Sequence, residues 1–194
     1  DDYRHFETAY YQSSRMLGQE GVDENGNVLV REDDYRSFYE LGTANLQNLT
    51  STWDDLFALD HSQQMVSAGH PPLEAPGYCY WLSGAGIALA RLLGLGKILM
   101  YFLGKGFVFL GYLAVGFWSI RLMPFAKNLI FLVYLLPISM QQATSFSYDT
   151  TVNALAFLLI AYCLHLTFGV EKLCPKHWIG LIVLSAVLAP CKVV

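Results

Sequence analysis

From residue 98 onward the chain is a succession of long apolar runs, whereas its first 74 residues mix apolar and charged positions at short spacing. Residues 98–120 carry Lys105 as their single charge. At about 1.5 Å per residue, a helix of that length covers a hydrocarbon core of roughly 30 Å. Residues 129–143 form a shorter run that needs 126–128 or the polar Gln141-Gln142 end to reach across. Residues 151–169 hold no Asp, Glu, Lys or Arg, with His165 near one end, and 178–194 form a fourth run that is still apolar at residue 194. Four spanning helices are expected, at about 98–120, 126–145, 150–169 and 178–194.

Residues 76–93 have the length to cross, yet they carry Gly77, Gly84 and Gly86 and open with Tyr78, Tyr80 and Trp81, aromatics that favour the headgroup level. Each crossing reverses the side on which the next loop emerges. With the acidic first module external, an interfacial or re-entrant 76–97 puts Arg121, Lys127, Lys172 and Lys176 inside against Arg91 and Lys97 outside. The positive-inside rule prefers that arrangement to the spanning one, which reverses the count unless the whole chain is flipped and the acidic module lies in the cytoplasm.

The first module, residues 1–75, reads as a folded extramembrane loop. Tyr3, Phe6, Tyr10 and Leu17 fall on one face of a helix that Gly18 stops. Asn25-Gly26 between β-prone flanks at 22–30 signals a hairpin. Asp23, Asn25 and Asn27 imitate the start of a calcium loop, but Val28 and Asp34 stand where that loop needs Gly and Glu, so a turn is expected. A second short helix is expected at 34–46 and a helical turn from Thr52. Asn48-Leu-Thr50 has the glycosylation pattern.

Charge sharpens this division. Residues 1–74 hold fourteen of the sixteen acidic and four of the twelve basic residues, a net charge of −10, while 75–194 carry +6. No dense basic stripe exists, which excludes a nucleic-acid binder. Cys79, Cys163, Cys174 and Cys191 lie too far apart for a zinc motif and are expected to be small buried hydrophobes. A first residue that opens on Asp1-Asp2 and a last run cut while apolar lead us to expect a fragment of a longer polytopic chain.

Few polar groups interrupt the apolar half. Asp149 is the single acid between residues 75 and 170. An ionisable group near membrane depth faces a wet cavity or a partner, or here caps the helix that follows. Lys105, flanked by Gly104 and Gly106, either snorkels to the headgroups or fixes a phosphate. Asp1, Asp2 and His5 form a D-D-x-x-H cluster suited to general-base chemistry, to a divalent metal or to plain solvation of a helix start.

The order Asp1-Asp-Tyr-Arg-His-Phe6, His70-Pro-Pro-Leu73, Pro76-Gly-Tyr78, Gly84 to Gly96, Arg121 to Lys127 and Leu135 to Asp149 resembles the bacterial predicted membrane proteins grouped as domain of unknown function 2142. That family in turn looks like the type-C glycosyltransferases, which take a sugar from a polyprenyl-phosphate carrier outside the membrane. The resemblance implies a mainly α fold: a polytopic transmembrane helical bundle with a long extracytoplasmic loop carrying short juxtamembrane helices, in the bacterial cytoplasmic membrane. It puts the first acidic site on Asp1 or Asp2 with His5 beside it, and the second on Asp149. Lys105 becomes the phosphate-binding cation, and His70, Tyr78 and Tyr148 line the substrate cavity. The implied partners are the lipid bilayer, a polyprenyl-phosphate-linked sugar and a glycan acceptor. A divalent cation held by Asp2 and Asp149 is the one cofactor it allows. The family pattern more often has Glu where Asp2 stands. A non-catalytic component that binds or moves lipid-linked glycan, and a structural subunit docking through its acidic loop, are the other readings.

Overall fold

Helix α1, Asp2–Met16, organises the first half of the computed structural model, which describes residues 2–35 and 64–191. The sequence makes it a helix by setting Phe6 and Tyr10 one turn apart, and both are buried. Gly18, at φ +67°, then turns the chain where a side chain would be strained. Asp1, the helix expected beyond residue 35, the turn at Thr52 and the Asn48 sequon lie outside the described residues.

The Asn25-Gly26 signal is realised as a turn. Val22 bridges Val28 in antiparallel sense, Gly26 takes φ +83°, and the Asp23 carboxylate accepts the backbone N–H groups of Asn25 and Asn27, each at 2.9 Å. Ser67 Oγ donates to the same carboxylate at 2.6 Å. Asp23 is thus spent on closing its own turn. Strand β1, Leu29–Arg31, then pairs antiparallel with β2, Met65–Ser67, with Val30 opposite Val66.

A 3-10 turn at Gly77–Tyr80 leads into α2, Trp81–Leu92. Its glycines allow close approach on two sides. A Cβ on Gly84 would stand 3.0 Å from Gln12 Cβ and 3.3 Å from the Ala9 carbonyl of α1. One on Gly86 would stand 2.6 Å from the carbonyl oxygen of Leu103. That carbonyl belongs to α3, Lys97–Leu122, whose 26 residues extend about 39 Å. The 12 residues of α2 cover only about 18 Å, too little to cross a bilayer unaided.

The element expected at about 126–145 is two helices, α4 at Lys127–Tyr134 and α5 at Pro137–Ala143. The break has a plain cause. Pro137 has no N–H to continue a helix and holds Leu136 extended at φ −55°, ψ 139°, so Pro137 begins α5 instead. Helix α6 covers Asp149–Phe168, and α7 covers Pro175–Leu188 before a 3-10 turn at Ala189–Cys191. The described chain is mainly helical, and α3 and α6 are long and apolar enough to cross a membrane.

Two units divide the chain, Asp1–Phe107 and Val108–Val194. In the second, Tyr112, Met123, Ile130, Tyr134, Ala143, Ala154 and Ala161 form the core. Tyr134 is its centre: its ring meets those of Tyr112 and Phe157 edge-on at 5.0 and 5.1 Å, and its hydroxyl lies 2.9 Å from Ser119 Oγ. Large apolar side chains face outward on every helix of this unit, among them Phe117, Trp118, Leu129, Leu132, Ile138, Ile160, Trp178, Ile179 and Ile182. The cysteines depart from expectation. Cys79 and Cys191 are buried, but Cys163 and Cys174 are exposed, the former on an outer face of α6 and the latter at the start of α7 beside His177.

Candidate functional site

The first turns of α1 present different faces to different neighbours, and each face gathers polar groups. Residues four apart share a face, so Asp2 lies above Phe6 and Tyr3 above Glu7. On the first face, Asp2 Oδ2 stands 3.3 Å from Lys105 Nζ and 3.4 Å from the Tyr101 hydroxyl. The Lys105 ammonium also lies 4.4 Å from the centroid of the Tyr101 ring. Lys105 therefore pairs with an acid 103 residues away rather than only snorkelling. The Asp2 side chain remains 42% exposed, enough for a second group to reach it.

His5 turns to the start of α2, where its Nδ1 lies 2.8 Å from the Tyr80 hydroxyl and the two rings stack at 6.1 Å. A third cluster gathers around Glu7. The Glu7 carboxylate is buried; Arg4 Nε lies 3.7 Å from its Oε2 and His70 Nδ1 3.6 Å from the same atom. Neither distance is a hydrogen bond, and all four atoms, both Glu7 oxygens, Arg4 Nε and His70 Nδ1, are buried without one. Burial pushes the Glu7 carboxyl above the usual range, while His70 and then Arg4 pull it back. The segment that carries His70 is tied to α1 at two further points, Arg4 Nη2 donating to the Pro71 carbonyl at 2.9 Å and the Leu73 N–H to Thr8 Oγ1 at 3.1 Å.

One turn further along α1 lies a network of buried charges. Tyr10 donates to Asp34 Oδ2 at 2.9 Å, and Arg31 Nε reaches the same oxygen at 2.7 Å. The Arg91 guanidinium lies 4.4 Å from the Tyr10 ring centroid and donates to Ser13, Ser14 and Gln19. Burial, and then the charge of Asp34, push the Tyr10 hydroxyl up to about 12. A cavity of about 610 Å³ beside this network is lined by Leu17, Gln19, Glu20, Leu29, Arg31, Met65, Arg91 and Leu92. None of the residues singled out in the sequence lines it.

In the second unit Asp149 is the first residue of α6, with its N–H 3.2 Å from Ser147 Oγ, and Tyr148 precedes it as the N-cap. Gln142 anchors this corner. Its carbonyl accepts Thr150 Oγ1 at 2.5 Å and Ser145 Oγ at 2.9 Å, and its side-chain oxygen accepts the Asn153 amide. Tyr78 sits half-buried in the turn before α2.

The structure thus brings Asp2 to Lys105, and His70 to α1, as neighbours of the same helix end. Sequence reading missed Glu7, Arg4, Tyr80, Tyr101, Gln142 and Asn153. A signal existed for Tyr101, four residues before Lys105 on one helix, and for Glu7, four after Tyr3. For Arg31, Asp34 and Arg91 only the fold reveals the partners. As for a divalent cation, Asp2 is engaged by Lys105 and Tyr101, and among the described residues no three His, Cys, Asp or Glu side chains are grouped to hold a metal ion. The donors described do not fit one.

Neither the curated proteins nor the solved structures contain a match to this chain. A family model described as "Predicted membrane protein (DUF2142)" matches residues 1–193. The apolar outer faces of α3 and α6 accord with that description, and the chain belongs to this family of membrane proteins.

Proposed function

We propose that the protein is a multi-pass enzyme of the bacterial cytoplasmic membrane that moves a sugar, with inversion, from a polyprenyl-phosphate carrier to a cell-surface glycan or lipid-linked acceptor. The observation that carries this reading is the ion pair of Asp2 with Lys105, a carboxylate and a cation joined beside a tyrosine on a helix of membrane length. In the reaction the acceptor oxygen attacks the anomeric carbon, and its proton passes to a base at the start of α1, for which the sequence offers Asp1, Asp2 and His5. The bond from that carbon to the carrier phosphate breaks, and the electron pair leaves with the phosphate. Lys105, with Asp2 and Tyr101 fixing its ammonium, meets that developing charge. Preorganised donors of this kind typically contribute about 10²–10³-fold, and base catalysis about 10²–10⁴-fold.

In this reading Asp149 is the second acidic site. Both acidic positions face the extracytoplasmic side. Helix α2 lies in the outer interface, with Trp81, Leu82, Leu89, Leu92 and Leu93 exposed along one side and Ser83, Gly84, Ile87 and Ala90 buried on the other. Chromatography of a radiolabelled lipid-linked sugar incubated with the full chain in nanodiscs tests the assignment. Asp2→Asn and Asp149→Asn should each slow donor consumption at least tenfold at unchanged expression. Two variants as active as the parent contradict it.

A further inference from the structure

A carboxylate kept out of water with neither oxygen hydrogen-bonded is costly, about 1–3 kcal/mol for each unsatisfied buried group and more for a charged one. Glu7 is such a group, and its surroundings are as unusual. Four polar atoms, from Glu7, Arg4 and His70, converge in the dry without satisfying one another. Such a cluster is a candidate functional site.

The geometry of His70 gives the cluster a direction. Its Nδ1 is buried against Glu7 Oε2 at 3.6 Å, yet its side chain is 38% exposed, so the solvent-facing part lies elsewhere on the ring. Its backbone is held, the carbonyl accepting the Val28 N–H at 2.8 Å and the next residue's carbonyl accepting Arg4. Tyr3 stands against the ring at 6.0 Å and 51°, an aromatic face of the kind against which a sugar packs. The groups α1 turns to His70 are Glu7, Arg4 and Tyr3, one acid, one cation and one phenol. A buried carboxylate 3.6 Å from Nδ1, with the far edge of the imidazole open, favours by its charge the ring form that carries its proton on Nδ1, which leaves Nε2 to accept a hydroxyl proton. Asp2 differs, since Lys105 and Tyr101 already bear on its Oδ2.

We propose that His70 is the catalytic base that removes the proton from the hydroxyl of the glycan acceptor, that Glu7 is its positioning residue, and that Asp2 serves to hold Lys105. This rests on the glycosyl-transfer reading and deepens it by moving the base from the start of α1 to His70, which packs against that helix. The acceptor O–H bond breaks as its oxygen bonds to the anomeric carbon, and the proton ends on His70 Nε2. Glu7 stabilises the resulting imidazolium, and the phosphate leaves with the bonding pair.

Two readouts on the full chain in nanodiscs test it. In ¹⁵N-histidine spectra, assigned by the signal lost in His70→Gln, the ring should be the Nδ1–H tautomer at neutral pH and should leave it in Glu7→Gln. In turnover assays His70→Gln should cost 10²-fold or more in kcat and abolish the acid limb of the pH–rate profile. Glu7→Gln should lower kcat at least tenfold with KM little changed, and Glu7→Asp should restore part of the rate. A parent ring in the Nε2–H tautomer, or one that Glu7→Gln leaves unchanged, overturns the pair whether or not sugar is transferred. A fixed Nδ1–H tautomer in a parent chain that consumes no lipid-linked donor overturns the glycosyl-transfer reading and, with it, the role of His70 as base.

Discussion

The two units of this chain keep their polar groups by opposite rules. In the first, charges go inward: Glu7, Arg31 and Asp34 are buried, and Arg91 is held between Tyr10 and three polar side chains. In the second, among the described residues, the inward side is made of tyrosines, alanines and one or two hydroxyls, and the largest apolar side chains point out. Where the surface is polar, as at the exposed Arg15, Gln19, Glu20 and Glu24 of the first unit, charge can also be hidden if each charge finds a partner. A lipid-facing unit buries small residues to bring backbones together, since lipid tails are as apolar as leucine and provide no drive to hide it. Gly116 against the Tyr134 ring and Gly180 against the Tyr162 hydroxyl are such positions, where an added Cβ would come within 3.1 and 2.5 Å.

Deleting a partner in the first unit should give the largest effect. Asp34→Ala leaves the Arg31 charge buried, and loss of one member of a buried pair typically costs about 3–5 kcal/mol, read as a fall in thermal unfolding temperature. Placing a charge on the outer face of the second unit should come next. Ile160→Lys, near the centre of α6, is expected to cost about 2.5–3.5 kcal/mol of membrane insertion, seen as lost membrane-integrated protein. The same change at Met65, an exposed apolar residue of the first unit, should be nearly silent, and equal losses at both positions would erase the contrast.

A pH effect can be read at Tyr10 in the first unit. The Tyr10 hydroxyl is raised from 10 to about 12, so its protonated form is favoured in the fold. Its contribution is complete below pH 10 and is lost as pH rises through about 12. A rise of that size corresponds to roughly 3 kcal/mol, and Tyr10→Phe should flatten the alkaline fall in stability between those limits. The smallest effect lies at the centre of the second core. Tyr134→Phe removes the hydroxyl between Ser119 and the Ala154 carbonyl and should cost about 1 kcal/mol, as single polar contacts inside membrane proteins do.

What could be read in advance follows from the same contrast. The α1 stripe of Phe6 and Tyr10, the Gly18 stop and the Asn25-Gly26 turn were legible because each is a local preference realised within a few residues. So were the bounds of α3, since lipid thickness sets its length. The division at Pro137 was present in the letters Leu135-Leu136-Pro137 but was outweighed by the demand for a run long enough to cross. Lys105 with Asp2, Arg91 with Ser13, and Glu7 with His70 are pairs 63 to 103 residues apart, and no spacing rule reaches that far. Exposed Cys163 shows a further limit. On a helix apolar all round, composition does not separate the face toward lipid from the face toward protein.

Sugar transfer as proposed requires one aqueous side to hold both the Asp2 end of the chain and Asp149. Cysteines placed at Glu24 and at Asp149, in a chain whose Cys163 and Cys174 are serine, can be exposed to a membrane-impermeant maleimide in intact cells. Labelling of both positions from outside is the predicted result. Labelling of Glu24→Cys from outside, with Asp149→Cys reached only after the membrane is permeabilised, would contradict it.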